Sequence, residues 1–369
     1  MTETTSRILE LDGLRGIAIL MVLAFHIFPV AEQFSNQGFT AWISKLSSMG
    51  WAGVDVFFVL SGFLITSILI REKNHPHYFR NFYTRRVLRI MPVYYLLITI
   101  LFVVNFLAGW IDIKTVLKSA AWFYTFTGNW LYAFNDVRGF YFEHLWSIAI
   151  EEQFYLVWPI IVLRYEPKKI SKIGIATMLF ALLTRVVLVF FSKDYGNTFP
   201  YYATISRLDG LMLGSMIATG FQTGLISQFP KNAAKFLIIS LAIICTCIVY
   251  KPDALLWNNE LMLTVGFSAL ALLAGALIII AQTWNEAHFL RRFFRFPVLL
   301  FLGKYSYALY LFHWPVLFLI MNLFLKISSV GFIPWLVFSL ACFFVTIGLS
   351  FISWNILEYP ILELKRYFV

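Results

Sequence analysis

The sequence contains few charged residues. Only 13% of its 369 residues are charged and 60% are hydrophobic, whereas soluble globular proteins have about 25% charged and about 45–50% apolar residues. This composition excludes an ordinary water-soluble domain. Because a helix that spans a bilayer uses about 20 apolar residues, the hydrophobic share is enough for roughly ten such helices. We therefore predict an all-α, polytopic membrane helix bundle, formed by a single domain over residues 1–369.

Cysteine and acidic residues are also scarce. The three cysteines, Cys245, Cys247 and Cys342, stand in apolar runs, where a thiol is usually an inert small hydrophobic side chain. We therefore expect no disulfide framework and no metal site. The net charge of +10 is compatible with nucleic-acid binding, but the basic clusters alternate with Phe-rich runs, which is typical of cytoplasmic loops facing anionic lipid. The expected partner is membrane lipid and not nucleic acid.

Ten apolar runs are long enough to cross a bilayer. They lie at about residues 13–30, 51–70, 89–109, 145–163, 173–191, 205–221, 234–250, 258–281, 303–325 and 333–355. Lys and Arg are more numerous in the segments on the side of the N-terminus than in those on the other side. Positive charge accumulates in cytoplasmic loops, so we predict that both termini are cytoplasmic.

The connection over about residues 110–144 would lie on the outer side in this topology. Amphipathic rings often anchor a protein at the headgroup level, which predicts interfacial anchoring; a wall on which a sugar could stack is the alternative. The aromatic residues concerned are Trp110, Trp122, Phe123, Tyr124, Phe126, Trp130 and Tyr132.

The first apolar run carries two ionisable residues on one face. Arg15 and His26 are 11 residues apart, which in a helix is roughly 16 Å of rise and roughly 20° of rotation. A single histidine on an apolar helix is usually structural. However, ionisable groups in hydrocarbon cost at least about 2.5 kcal/mol each and usually line an internal pathway. The shared face therefore favours a functional pair.

Other ionisable residues fall in the outer halves of three further runs. We expect them to converge with His26 in one outward-facing cavity, in which His26 is a general base and Glu151 orients its imidazole. Gly53 and Gly62 indicate close helix packing. His313 is either a second active-site group or a buried hydrogen-bonding residue. The residues expected to converge are His26, Asp55, Glu151, Arg207 and Asp209.

A basic cluster precedes the third run, at Arg80, Arg85, Arg86 and Arg89. It has two interpretations: ordinary positive-inside topology, or a phosphate site, because guanidinium groups match phosphate geometry. An anion site inside and a histidine with carboxylates outside favour group transfer across the membrane. The alternative is a multi-pass transporter or exporter of a small molecule or glycan precursor. The similarity of LDGLRGIAIL (11–20) to LDGLMLGSMI (208–217) motivates it, since inverted repeats are common in transporters.

Seven segments together resemble the acyltransferase-3 family of bacterial integral membrane O-acyltransferases, in order over nearly the whole chain. They are LDGLRGIAILMVLAFH (11–26), GVDVFFVLSGFLIT (53–66), RRVLRIMPVYYLL (85–97), HLWSIAIEEQFYLVWP (144–159), SRLDGLMLGSMIA (206–218), YSYALYLFHWPV (305–316) and EYPILELKR (358–366). The resemblance implies a ten-helix, multi-pass protein of the bacterial inner membrane. It also implies an O-acyltransferase, most often an O-acetyltransferase that uses acetyl-CoA and no metal. The acceptor would be a hydroxyl of a cell-surface glycan, lipopolysaccharide, exopolysaccharide or small glycosylated molecule.

The resemblance also assigns residues. Its Arg-x10-His pattern falls on Arg15 and His26, with His26 as the essential catalytic residue, and Glu151 completes the expected catalytic set. Its basic motif implies CoA binding by Arg85, Arg86 and Arg89. Its Trp-Ser-x-x-x-Glu signature ends on Glu151, and the chain looks like a stand-alone member without a fused esterase-like domain. The signature and the expected outward-facing cavity together give the residues expected to bind the acceptor, which are Asp55, Trp146, Ser147, Arg207 and Asp209.

Overall fold

The computed structural model describes residues 8–109, 111–134, 142–191, 198–225, 230–250, 256–326 and 330–368. All the regular secondary structure in these ranges is helical. Nine helical segments within them are long and apolar enough to cross a membrane. The prediction of an all-α, polytopic membrane bundle is therefore confirmed, whereas the orientation of the termini stays a prediction.

Long helices alternate with short ones along the chain. The helices are α1 (Leu9–Ala31), α2 (Phe39–Ser47), α3 (Gly53–Arg71), α4 (Tyr78–Leu107), α5 (Ile113–Tyr124), α6 (Gly128–Ala133), α7 (Trp146–Arg164), α8 (Pro167–Phe191), α9 (Thr198–Tyr202), α10 (Thr204–Gln222), α11 (Pro230–Tyr250), α12 (Phe267–Thr283), α13 (Phe289–Phe294), α14 (Pro297–Lys304), α15 (Ser306–Phe324), α16 (Phe332–Ser353) and α17 (Tyr359–Glu363). One π-helical turn, Met262–Gly266, leads into α12, and another, Trp354–Glu358, joins α16 to α17.

The tenth predicted span, at about residues 205–221, is a helix but a more polar one than the others. It corresponds to α10, whose 19 residues extend for about 28 Å, close to the hydrocarbon thickness of about 30 Å. α10 carries the buried charges Arg207 and Asp209, and it packs against α3, α8 and α12. Because neighbouring helices shelter it, α10 does not need the apolar surface of a lipid-facing helix.

Two glycines allow α3 and α10 to touch through their backbones. A Cβ atom at Gly62 would collide with the carbonyl oxygen of Leu211, and one at Gly214 would collide with that of Val59. Small residues at such positions let membrane helices approach closely. The prediction that Gly62 marks close packing is therefore confirmed.

The connection between α4 and α7 folds back into the protein. The Tyr94 hydroxyl donates to the Phe123 carbonyl oxygen at 2.9 Å, and the Phe126 ring stacks on Tyr94 with centroids 4.4 Å apart. Phe123, Phe126 and Tyr132 are buried among protein side chains. Interfacial anchoring is therefore wrong for these three rings, and they do not form a free wall for a sugar. Trp110 lies outside the described residues.

Candidate active site

Two internal cavities lie along α1 and are lined by different parts of it. The first, here called the arginine cavity, measures about 100 Å³ and is lined by Arg15, Ser61, Arg86, Arg89, Glu151 and Tyr155, among others. The second, here called the histidine cavity, measures about 270 Å³ and is lined by His26, His144, Trp146, Tyr201, Tyr202 and Trp314, among others. The rise of roughly 16 Å between Arg15 and His26 thus separates two sites on one helix.

The arginine cavity collects guanidinium groups from two helices. Arg15 comes from α1, whereas Arg86 and Arg89 come from α4, three residues apart and therefore on one face of it. Arg15 lies 3.4 Å from the Asp12 carboxylate and is partly exposed. The Arg86 guanidinium lies over the Tyr155 ring, 5.4 Å from its centroid. Such a cluster of cations, open to a cavity, is suited to an anionic ligand.

Arg85 does not line this cavity. Its Nη1 atom lies 2.5 Å from the Glu72 Oε1 atom, so that its charge is already matched by a carboxylate of the same protein. The structure therefore brings together two of the three arginines predicted to bind CoA, Arg86 and Arg89, and adds Arg15 to them.

Glu151 belongs to the arginine cavity and not to the histidine cavity. The Ser61 hydroxyl donates to its Oε1 atom at 2.5 Å, and the Tyr155 hydroxyl lies 2.8 Å from the same serine. The prediction that Glu151 orients the His26 imidazole is therefore wrong. Similar depths in the membrane suggested that pairing. However, α15 places Tyr310 and His313 beside His26, and depth does not determine which helix faces meet.

The protonated nitrogen of His26 follows from its hydrogen bonds. His26 Nδ1 lies 2.9 Å from the Val22 carbonyl oxygen, and His313 Nδ1 lies 2.6 Å from that of Tyr310. Because a carbonyl oxygen only accepts, each Nδ1 atom carries hydrogen in the neutral rings. His313 Nε2 is then an acceptor, and it lies 3.3 Å from His26 Nδ1. His26 Nε2 is left with a lone pair, as a general base requires.

His313 is thus a buried hydrogen-bonding residue whose partner is His26 itself. It is fully enclosed, whereas His26 is partly exposed in the histidine cavity. The Trp314 ring meets the His26 ring edge to face, with centroids 4.6 Å apart. His26 is therefore held by contacts on both sides, and its ring orientation is restricted.

Asp55, Arg207 and Asp209 form buried ion pairs instead of lining the histidine cavity. The Arg207 Nη2 atom lies 2.9 Å from Asp55 Oδ1, and Asp209 pairs with Arg185 of α8 at 2.8 Å. The Arg207 guanidinium also covers the Phe267 ring, 3.7 Å from its centroid. The expected convergence of five ionisable residues in one cavity is therefore wrong, since these three charges satisfy one another and Arg185 inside the bundle.

The Trp-Ser pair at the start of α7 faces both cavities. Trp146 lines the histidine cavity, where its ring packs against Tyr201 and Tyr202 with centroid distances of 4.8 and 5.5 Å. Ser147 lines the arginine cavity and lies 2.7 Å from the Tyr310 hydroxyl. The two adjacent residues thus mark the level at which the cavities approach each other.

A tyrosine of α9 completes the wall of the histidine cavity. The Tyr202 hydroxyl donates to the Glu143 carboxylate. Burial raises the pKa of this phenol far above its usual range, and the neighbouring carboxylate raises it further. Tyr202 is therefore a neutral donor that presents its ring to the cavity.

Three residues of this region were missed by the sequence reasoning. Arg185 had a usable signal, because it is a single arginine in an apolar run, and intramembrane charges usually have a specific partner. Ser61 lies near the middle of its apolar run, and it was given no role there. Tyr310 had no signal, since the surrounding sequence YSYALYLFHW contains several aromatic residues. Among the described residues, no group of three or more His, Cys, Asp or Glu side chains could hold a metal ion.

Comparison with known proteins gives one family and several relatives. A family model described as an acyltransferase domain matches residues 8–355. Peptidoglycan O-acetyltransferase OatA of Listeria monocytogenes is 30% identical over 325 residues, which cover 84% of this chain and 49% of that protein. O-acetyltransferase OatA of Staphylococcus aureus is 29% identical over 378 residues, which cover 95% of this chain and 56% of that protein. The chain thus spans about half the length of these curated relatives. No solved structure matches it.

Proposed function

Because the chain belongs to the acyltransferase-3 family, we propose that it is a membrane O-acetyltransferase that moves an acetyl group from cytoplasmic acetyl-CoA to a carbohydrate hydroxyl. One observation carries the proposal: a cavity rich in arginine and a cavity with a histidine base adjoin each other along α1. The names of the two relatives, both O-acetyltransferases, support the choice of acetyl. The multi-pass bundle would lie in the bacterial cell membrane.

The arginine cavity is the proposed donor site. Arg15, Arg86 and Arg89 offer guanidinium groups that match phosphate oxygens in charge and geometry. The excess of Lys and Arg in the loops on this side supports a cytoplasmic location. Cytoplasmic acyl-CoA would place its phosphates on these arginines and direct its thioester along α1 towards His26.

The histidine cavity is the proposed acceptor site. Trp146, Tyr201 and Trp314 give it broad aromatic walls, and specific sites are commonly built from apolar walls with a few polar groups. The Listeria relative is named for peptidoglycan, which supports a carbohydrate acceptor. A sugar ring would lie against the aromatic walls with one hydroxyl at His26.

The chemistry needs one base and one leaving group. His26 Nε2 would take the proton from the acceptor hydroxyl, whose oxygen attacks the thioester carbonyl carbon. The carbon–sulfur bond then breaks, and the protonated His26 returns the proton to the CoA thiolate. The products are an O-acetyl ester and free CoA. The Nδ1 hydrogen of His26 is directed at the Val22 carbonyl oxygen and Nδ1 faces neutral His313, so that His26 Nε2 would point to the acceptor.

Purified protein in lipid nanodiscs, supplied with labelled acetyl-CoA and a saccharide acceptor, tests this function. We expect acetylated saccharide and free CoA in equal amounts, with no gradient present. Nanodiscs have no closed compartment, so a transporter would show binding but no loss of the thioester. Intact acetyl-CoA after incubation with several saccharides, together with saccharide uptake in sealed vesicles, would favour the transporter alternative.

The donor site predicts an effect on the acetyl-CoA requirement. Arg86→Gln and Arg89→Gln are each expected to raise the KM for acetyl-CoA about tenfold, equivalent to about 1.4 kcal/mol. The physical reason is the loss of one charged contact to phosphate. Initial rates at varied acetyl-CoA concentrations measure this, with kcat expected to change little.

Exposed Arg80, on the first turn of the same helix, provides the matched control, since Arg80→Gln removes the same charge away from the cavity. Arg85→Gln separates the two expectations for Arg85: the resemblance implies a raised KM, whereas the ion pair with Glu72 implies an unchanged one. If Arg80→Gln raised the KM as much as Arg86→Gln, the arginines would act only through the overall positive field.

A further inference from the structure

Two residues separate the arginine cavity from the histidine cavity. Val54 of α3 and Tyr310 of α15 line both cavities. If the donor occupies one cavity and the acceptor the other, as the proposed function requires, the thioester and the hydroxyl must meet at this boundary. Of the two boundary residues, only Tyr310 has a side chain with a polar atom. Its phenol is therefore the side-chain group best placed to contact the reacting carbonyl.

The hydrogen bonds of the Tyr310 hydroxyl place it between the cavities. It lies 2.5 Å from the His144 carbonyl oxygen and 2.7 Å from Ser147 Oγ. Because the carbonyl only accepts, the phenol donates to His144 and accepts from the Ser147 hydroxyl. His144 lines the histidine cavity and Ser147 lines the arginine cavity. One oxygen atom thus connects the two walls.

Tyr310 is also tied to the proposed base. Its backbone carbonyl oxygen accepts from His313 Nδ1 at 2.6 Å, and His313 Nε2 faces His26 Nδ1. The residue that separates the cavities therefore also fixes the tautomer of His313, the neighbour of His26. Tyr310 is thus linked to the proposed base, His26, through one intervening residue, His313. It also lies on the proposed path of the donor.

We propose that Tyr310 is a catalytic residue of the acyl transfer, whose phenol stabilises the oxyanion formed at the thioester carbonyl; this inference rests on the proposed function. As the acceptor oxygen bonds to the carbonyl carbon, the carbonyl π electrons move onto its oxygen. The phenol donates its hydrogen bond to that oxyanion, and the Ser147 hydroxyl supplies a second donor. The carbonyl re-forms when the CoA thiolate leaves, and Tyr310 keeps its proton throughout.

The resting hydrogen bond gives this step a conformational requirement. In the structure the phenol hydrogen is committed to the His144 carbonyl oxygen, so the hydroxyl must rotate about its C–O bond for the hydrogen to reach an oxyanion. The resting hydrogen bond to His144 is thus exchanged for the hydrogen bond to the oxyanion.

Tyr310→Phe tests the proposal, because it keeps the ring and removes only the hydroxyl. Removing one oxyanion donor typically lowers kcat by about 10²–10³-fold, and we expect a loss in this range with the KM for acetyl-CoA nearly unchanged. Ser147→Ala should give a smaller loss of kcat. Ser147→Thr, which keeps a hydroxyl, should retain part of the activity that Ser147→Ala loses. Steady-state rates in nanodiscs at varied acetyl-CoA measure both parameters.

Tyr94→Phe is the matched control. Tyr94 is also buried, and its hydroxyl also donates to a backbone carbonyl, that of Phe123 at 2.9 Å, but it lines neither cavity. We expect this variant to keep the wild-type kcat. An unchanged kcat in Tyr310→Phe, or an equal loss in Tyr94→Phe, would overturn the role of Tyr310. If His26→Ala were inactive while Tyr310→Phe remained fully active, only this inference would fail. A wild-type protein without transfer activity would overturn the proposed function and this inference together.

Discussion

His26→Ala is expected to lower kcat for acetyl transfer by about 10²–10⁴-fold, the usual contribution of a general base. The hydrogen bonds of His26 explain the size of the effect. Its Nδ1 atom is held by the Val22 carbonyl oxygen and faces His313, so that only Nε2 is available to an acceptor. A water molecule in the space left by the imidazole would have neither its basicity nor its fixed direction.

Transfer of labelled acetyl from acetyl-CoA to a saccharide measures this loss, with the KM for acetyl-CoA as an internal reference. Because His26 and the arginines line different cavities, donor binding should persist in the variant. His26→Gln, which keeps a polar side chain but no base, serves as a second variant if His26→Ala fails to fold. Exposed His77 provides the matched control, His77→Ala. A His26→Gln enzyme with wild-type kcat would remove His26 from the chemistry.

Arg185→Met is expected to destabilise the protein by about 3–5 kcal/mol, the usual cost of removing one partner of a buried ion pair. Arg185 is fully enclosed, and it contacts Asp209, the Ser206 carbonyl oxygen and Ser268. Without it, the Asp209 carboxylate would keep the Ser268 hydroxyl as a hydrogen-bond partner and lose its closest cation. Unfolding in a detergent titration, followed by circular dichroism, measures the change.

A double variant separates the loss of the ion pair from the loss of packing. Arg185→Met combined with Asp209→Leu removes both charges, and apolar replacement of a buried pair is often close to neutral. We therefore expect the double variant to recover most of the stability that the single variant loses. Equal destabilisation in both would mean that Arg185 acts through its packing against Phe267 and not through its charge.

The sequence supports strong predictions about where the helices lie and weaker ones about which helices pack against each other. Hydropathy located the long helices because apolar length is a property of each segment alone. That Arg15 and His26 share a face also follows from the geometry of a single helix. The structure places Arg15 at the arginine cavity and His26 at the histidine cavity. Glu151 was misassigned because its partner depends on which helices meet. That depends on close contacts such as Gly62 with Leu211, which hydropathy does not encode.

The fold-back of α5 and α6 was missed for a related reason. Phe123, Phe126 and Tyr132 have the composition of an interfacial anchor, and composition gives no information on whether a segment lies on the membrane surface or turns into the protein. The turn between α5 and α6 is instead held by long-range hydrogen bonds. Examples are those from Tyr94 to Phe123 and from Gln153 to Phe126.

The separation of the two cavities also bears on the energy stored across the cell membrane. A single charge that crosses a bilayer gains or loses about 2.3 kcal/mol per 100 mV of potential, so a continuous wet passage through this protein would dissipate that potential. Val54 and Tyr310 lie where the arginine cavity and the histidine cavity meet, and they would interrupt such a passage. Under the proposed function an acetyl group would pass this point as part of an uncharged thioester, whereas a hydrated ion would have to lose its water. The two side chains at which donor and acceptor would meet under the proposed function would thus also limit the leakage of ions.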